Sequence, residues 1–313
     1  MCATLTGVRR RHFLRYAGAS AAALAWSGRR PTATAQPPTA RMHTRPIPSS
    51  GEPLPVIGLG TYINFDVAPG SADYQRLPDV LRALFAASGS VVDSSPMYRR
   101  AEQTTGELLE AMTPRPRAFL ATKVWTQGRD AGLAQMEQSF KLLRTTRLDL
   151  MQIHNLVDWR THLPTLRRWK TDGRLRYVGV THYTSSAYGE VEAVLKAEPL
   201  DFLQINYALD DRAVEQRLLP LARDRGVAVI VNMPFGGGGL LRRLRDRPLP
   251  GWAAEAGAVS WAQLALRFVL AHPAVTCVIP GTGNPRYMAE NAAAGAARPL
   301  TGVERRDLIV AAG

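Results

Sequence analysis

The chain has 313 residues, 46% of them hydrophobic and 21% charged, with 2 cysteines and 6 Trp, 9 Tyr and 8 Phe. That composition supplies a sizeable apolar core and excludes both a disordered chain and a disulfide scaffold. The 39 Lys plus Arg against 26 Asp plus Glu give +13 at pH 7, which raises nucleic acid or an acidic membrane surface as a partner until the charge is located along the chain.

Six of those charges, Arg9, Arg10, Arg11, Arg15, Arg29 and Arg30, lie in residues 1–35 with no acid among them, so +7 belongs to the rest. The basic block is followed by a small, apolar run from Tyr16 to Trp26 and then by Ala33-Thr34-Ala35 before Gln36. This is the layout of a cleavable export signal, too short and too weakly apolar to span a bilayer as a helix. Arg10-Arg11-His12-Phe13-Leu14-Arg15 resembles the twin-arginine signal. That resemblance implies cleavage after Ala35 and delivery of a folded protein to the periplasm by the twin-arginine translocation machinery. A basic tail that binds polyanions is the other reading of the same residues. With Cys2 inside the signal, Cys277 is left alone and no internal disulfide is possible.

Residues 36–53, rich in Pro, Ser and Thr, read as a flexible lead-in to a domain over 54–313. From there β-branched or apolar runs alternate with segments of helical period. The expected strands are 56–59, 90–93, 119–123, 148–154, 177–181, 202–206, 228–232 and 275–280. The helices between and after them are 78–87, 101–111, 131–143, 161–170, 185–195, 213–225, 260–271 and 285–294, with a short one at 303–311. Eight β/α units in this length suit an α/β (β/α)8 TIM barrel. An open, doubly wound sheet is the second choice, because no Gly-x-Gly-x-x-Gly follows the first strand.

In such a barrel the chemistry sits at the carboxyl ends of the strands. Asp93 closes the second strand, Lys123 the third and His154 the fourth, and Tyr98 follows Asp93 in the loop above. A strand-end carboxylate beside a strand-end ammonium predicts a partly buried ion pair, since neither charge is tolerable there alone. A cation beside a phenol favours phenolate and brings the Tyr98 proton nearer to useful acidity. An imidazole across the pocket can hold a carbonyl oxygen. Together the four read as a proton relay to a carbonyl that needs a separate hydride donor. Each residue alone is more ordinary: a satisfied turn or core group, or a solvated surface side chain.

From Leu54 to Ala292 the chain resembles the aldo-keto reductases. Asp93-x4-Tyr98-x24-Lys123-x30-His154 is similar to that family's tetrad, and Trp169-Lys170-x-Asp172-Gly173-Arg174-Leu175-Arg176-Tyr177-Val178-Gly179-Val180 to its helix, turn and fifth strand. The resemblance implies a barrel that binds NADP(H), or NAD(H), across its top, with Tyr98 as proton donor and His154 orienting the carbonyl. It also carries cofactor-binding expectations onto Gly60, Thr61 and Tyr62, onto Gln204, and onto Thr181-His182 where the family has Ser-Asn. Asn232 stands where many members place an aromatic ring, with Phe235 as a substitute, and Gly236 to Gly239 either bring backbone N–H groups toward a pyrophosphate or form a flexible loop before a variable segment. At the adenosine end Thr282, Arg286, Glu290 and Asn291 are expected, with Gly281 and Tyr287 in the places of a Lys and an Arg.

The activity implied is NADPH-dependent reduction of an aldehyde or ketone by a monomer acting on a small carbonyl substrate. An exported nicotinamide-nucleotide-binding accessory protein with little turnover is a second reading, since reduced nicotinamide has no obvious supply outside the cytoplasm. A metal-dependent hydrolase finds no H-x-H or H-E-x-x-H spacing and no metal is expected. Nucleic acid is not expected either, because the arginines after residue 35 are dispersed apart from a short run at Arg242, Arg243, Arg245 and Arg247.

Overall fold

The computed structural model describes residues 41–313, so the expected export signal and the first residues of the lead-in lie outside the described residues. From residue 44 the expected flexible lead-in is instead a hairpin. Thr44–Pro46 (β1) and Pro53–Pro55 (β2) pair antiparallel, Thr44 opposite Pro55 and Pro46 opposite Pro53. Burial explains it: Ile47 and Leu54 are 0% and 1% exposed and join Val91, Phe119, Leu150, Tyr177 and Phe202 in the apolar cluster inside the barrel. Arg45 anchors β1 by donating to the carbonyls of Leu270, His272 and Val275. Glu52 accepts from Arg176 and from Tyr177 Oη. Two isolated apolar residues carry no periodicity, so composition alone read as linker.

Eight further strands follow: Leu59–Gly60 (β3), Val91–Asp93 (β4), Phe119–Val124 (β5), Leu148–His154 (β6), Leu175–Thr181 (β7), Phe202–Asn206 (β8), Ala228–Asn232 (β9) and Val275–Val278 (β10). Chain order is sheet order, and every neighbouring pair is parallel. The last strand returns to the first through parallel bridges Ile57–Val278 and Gly60–Gly281, with Gly58 N–H donating to the Val278 carbonyl at 2.8 Å. The sheet is thereby a (β/α)8 TIM barrel. Its interior holds Cys277, whose burial pushes the thiol well above its ordinary pKa.

The outer layer is Ala72–Ala86 (α1), Ala101–Ala111 (α2), Arg129–Leu142 (α3), Trp159–Thr171 (α4), Tyr188–Ala197 (α5), Leu218–Asp224 (α6), Gly239–Leu244 (α7), Trp261–Leu270 (α8), Pro285–Ala296 (α9) and Gly302–Ala312 (α10). Helix α1 begins six residues before the expected Pro78, because Ser71 caps it by accepting from Tyr74 N–H. Pro78 therefore sits inside the helix and forgoes one backbone hydrogen bond. The segment 213–225 is broken into a 3-10 turn at Ala213–Gln216 and α6. Helix α7 follows directly on a 3-10 turn formed by Gly236–Gly238. Helix α10 opens on a capping box between Thr301 and Glu304.

Candidate active site

Strand register sets the polar ends level with one another: Gly60 opposite Asp93, His154 opposite Thr181, Thr181 opposite Gln204 and Asn206 opposite Asn232. All lie at the carboxyl end of the barrel. Tyr98 joins them because Ser95 accepts from Met97 N–H and starts a 3-10 turn, Pro96–Tyr98, that folds the phenol back over the strands. Pro96 suits the first position of that turn, where no N–H is needed.

Lys123 Nζ donates to Asp93 Oδ2 at 2.6 Å and to the Ser94 carbonyl at 2.7 Å, with the two side chains 0% and 2% exposed. The second carboxylate oxygen accepts from Gln204 Nε2 at 2.9 Å and Gln152 Nε2 at 3.2 Å, so the buried charges are paired and hydrogen-bonded together. Above them, Lys123 Nζ is 5.0 Å from the centroid of the Tyr98 ring. The His154 ring meets that ring edge-on at 5.9 Å, and its Nδ1 is 3.1 Å from Ser95 Oγ. Glu102, also buried, accepts from Thr122 Oγ1 at 2.5 Å and leaves Oε2 without a partner. Burial pushes that carboxyl up, toward its protonated form.

Burial raises the Tyr98 phenol above its ordinary value; Lys123 pulls it down, and Asp93 pushes it up again. The expectation that the cation makes the phenol more acidic is thus outweighed by desolvation in the resting site. Burial alone would lower Lys123, but Asp93 and Tyr98 hold it raised, so it stays an ammonium. His154 falls from 6.5 to about 3, through burial first and then the charges of Lys123 and His182. Its imidazole is neutral at physiological pH.

Between pH 6.5 and about 3 the unfolded chain protonates this histidine and the folded chain does not. Its stability contribution is therefore complete above pH 6.5 and is lost as the pH falls. Unfolding of the wild type and His154→Gln compared between pH 7 and pH 4 checks this: the wild type should lose more stability than the variant across that window.

Tyr98, His154 and Asp93 line a cavity of about 790 Å³, and Lys123 lies buried beneath them. Among the expected cofactor residues, Gly60, Tyr62, Thr181, Gln204, Asn232, Phe235, Thr282, Glu290 and Asn291 line it. Three others are not among the lining residues. Thr61 is fully buried, its Oγ1 3.0 Å from the Asp93 carbonyl and 2.9 Å from Ser94 Oγ, where it ties β3 to β4. His182 Nδ1 accepts from the backbone N–H of Tyr183 and Thr184, which turns the ring into its own loop. Arg286 lies exposed in the first turn of α9, its N–H donating to Asn284 Oδ1.

Sequence reasoning missed Asn155, Met97, Met233 and Leu241 in the cavity wall, and Gln152 beneath it. Gln152 was legible: it lies two residues before His154 on β6 and so points to the same face. The mouth carries exposed Tyr62, Ile63, Tyr183, Met233 and Tyr287, and exposed Trp125 stands 6.3 Å from the His154 ring. Ile63 and Met233 hold φ of 62° and 48° there, the left-handed region in which strain gathers at functional sites.

Fold and site together define a barrel oxidoreductase with a Tyr-Lys-Asp-His centre. The sequence profile of the Aldo/keto reductase family matches residues 56–305, and the chain belongs to that family. It is 28% identical over 263 residues to the methylglyoxal reductase YeaE of Escherichia coli, spanning 80% of this chain and 89% of that protein. Two crystal structures of aldo-keto reductases from Klebsiella pneumoniae superpose with TM-scores of 0.71. One, with NADP and acetate, is 26% identical over 87% of this chain and 94% of its own. The other, with NADPH, is 27% identical over 85% and 94%.

Proposed function

We propose that the protein reduces an aldehyde or ketone to the alcohol, with NADPH as reductant. The observation that carries this is the phenol of Tyr98 and the neutral imidazole of His154 facing one cavity above the buried Asp93–Lys123 pair. A dinucleotide suits the remaining lining. Asn155 Oδ1 and Asn232 Oδ1 are buried without partners in residues that line the cavity, which is costly unless a ligand donates to them. Gly237 and Gly238, with φ of 63° and 87°, give a side-chain-free backbone on one wall. When bound, the nicotinamide supplies the hydride.

The chain's own residues supply the rest. His154 holds the carbonyl oxygen, Tyr98 gives it the proton, and Lys123 steadies the phenolate until water restores its proton. The NADPH reading draws on the nucleotides bound in the Klebsiella structures. One observation favours NADH as a second reading: among the described residues the cavity lining contains no Lys or Arg and includes Glu290, whereas a 2'-phosphate favours a guanidinium. A relative from Escherichia coli, 25% identical over 239 residues, is named NADH-specific methylglyoxal reductase. Fluorescence titration with both nucleotides decides. A preference of about tenfold for either, some 1.4 kcal/mol, selects that reading, and binding of neither overturns the proposal.

The aromatic and apolar mouth suits bulky or varied carbonyls, and methylglyoxal against aromatic aldehydes is the panel to assay. We propose further that residues 1–35 export the folded monomer to the periplasm through the twin-arginine machinery. Amino-terminal sequencing of the periplasmic protein should begin at Gln36; a chain that begins at Met1 counts against it.

A further inference from the structure

A neutral imidazole has one N–H, and its use depends on which nitrogen carries it. His154 can present a donor to a carbonyl oxygen only if Nε2 holds the proton and Nδ1 is bare. The neighbour that can enforce this is Ser95. Its hydroxyl oxygen accepts the Met97 N–H at 3.2 Å, so one lone pair is committed while its own hydrogen is free. The group within reach of that hydrogen is His154 Nδ1, at 3.1 Å. Ser95 is 0% exposed and His154 6%, so a hydroxyl hydrogen left without an acceptor there would be costly.

We propose that Ser95 is a positioning residue which donates to Nδ1 of His154 and so fixes the proton on Nε2, the nitrogen that serves the substrate carbonyl. The backbone of the turn does the orienting. Met97 N–H occupies the hydroxyl oxygen, and the turn that carries Tyr98 also aims the serine hydrogen at the imidazole. One short segment, Ser95 to Tyr98, therefore sets both the proton donor and the tautomer of its partner.

This rests on the reading of His154 as the carbonyl-orienting group, and the test separates the two. Nitrogen-15 NMR of the wild type, with His154 assigned by its absence in His154→Gln, should show pyridine-type Nδ1 and pyrrole-type Nε2. The reverse pattern overturns the proposal whatever the activity. Ser95→Ala should mix or reverse the two signals and lower kcat/KM by about tenfold, the scale of one hydrogen bond. Ser95→Thr, which keeps the hydroxyl, should restore both. A Ser95→Ala protein that keeps the wild-type nitrogen pattern also overturns it. If Ser95 behaves as expected but His154→Gln retains full activity, the carbonyl role of His154 fails instead.

Discussion

Tyr98→Phe should lower turnover by about 10²- to 10⁴-fold, the range for loss of a positioned proton donor, while dinucleotide affinity stays nearly unchanged. The phenylalanine keeps the ring against Tyr62, whose centroid is 5.0 Å away, and against the edge of His154. What disappears is the hydroxyl alone. Steady-state assay with a carbonyl panel, paired with nucleotide titration, reads the two quantities separately. Undiminished turnover would reject Tyr98 as the acid. The raised phenol sharpens the pH side of the test. Because burial and Asp93 outweigh Lys123, the resting phenol stays protonated through its ordinary value of 10.0. Reductase activity of the wild type should therefore persist through pH 9, and its alkaline limb should vanish in the residual activity of Tyr98→Phe.

Lys123→Met should be the most damaging single change to the barrel itself. It removes the cation from a pair in which both side chains are almost wholly buried, at an expected cost of about 3–5 kcal/mol. The two glutamine amides on Asp93 Oδ1 remain, but neither neutralises a buried carboxylate. Urea unfolding measures the loss. Joining the change to Asp93→Leu, so that neither charge is left unpaired, should recover part of the stability and none of the turnover. A double variant no more stable than Lys123→Met would mean that the pair does not set the cost.

The strands were readable because parallel barrel strands are buried on both faces and so are rich in apolar residues; β9 runs Ala-Val-Ile-Val before it ends at Asn232. The tetrad was legible through joint occurrence: Asp93, Lys123 and His154 close consecutive strands with Tyr98 five residues beyond Asp93, although each alone has an ordinary explanation. The hairpin β1–β2 was not, because two residues, Ile47 and Leu54, carry its burial amid Pro and Ser. Thr61 and His182 show a second limit. A sequence places a polar side chain at a strand end but does not say whether it lines the cavity or bonds nearby protein groups: Thr61 ties β3 to β4, and His182 accepts from its own loop. Ser95 lay inside the motif that pointed to Asp93 and Tyr98, yet its role follows only from a hydrogen atom with one place to go.

The seam that closes the barrel has a mechanical side. Strands β5, β6 and β7 share long ladders, from Ala121 opposite Leu150 to His154 opposite Thr181, whereas the chain around β3 meets the chain around β10 through two isolated bridges, Ile57–Val278 and Gly60–Gly281. Local opening begins where few backbone bonds hold. Here that place is also a wall of the cavity, since Gly60 and Gly281 belong to both. A large ligand threaded across the top would span the seam and act as its clasp. In amide exchange, the slowing on nucleotide addition would then be greatest at Gly58, Gly60 and Val278, making the ligand a structural member of the ring as well as its reagent.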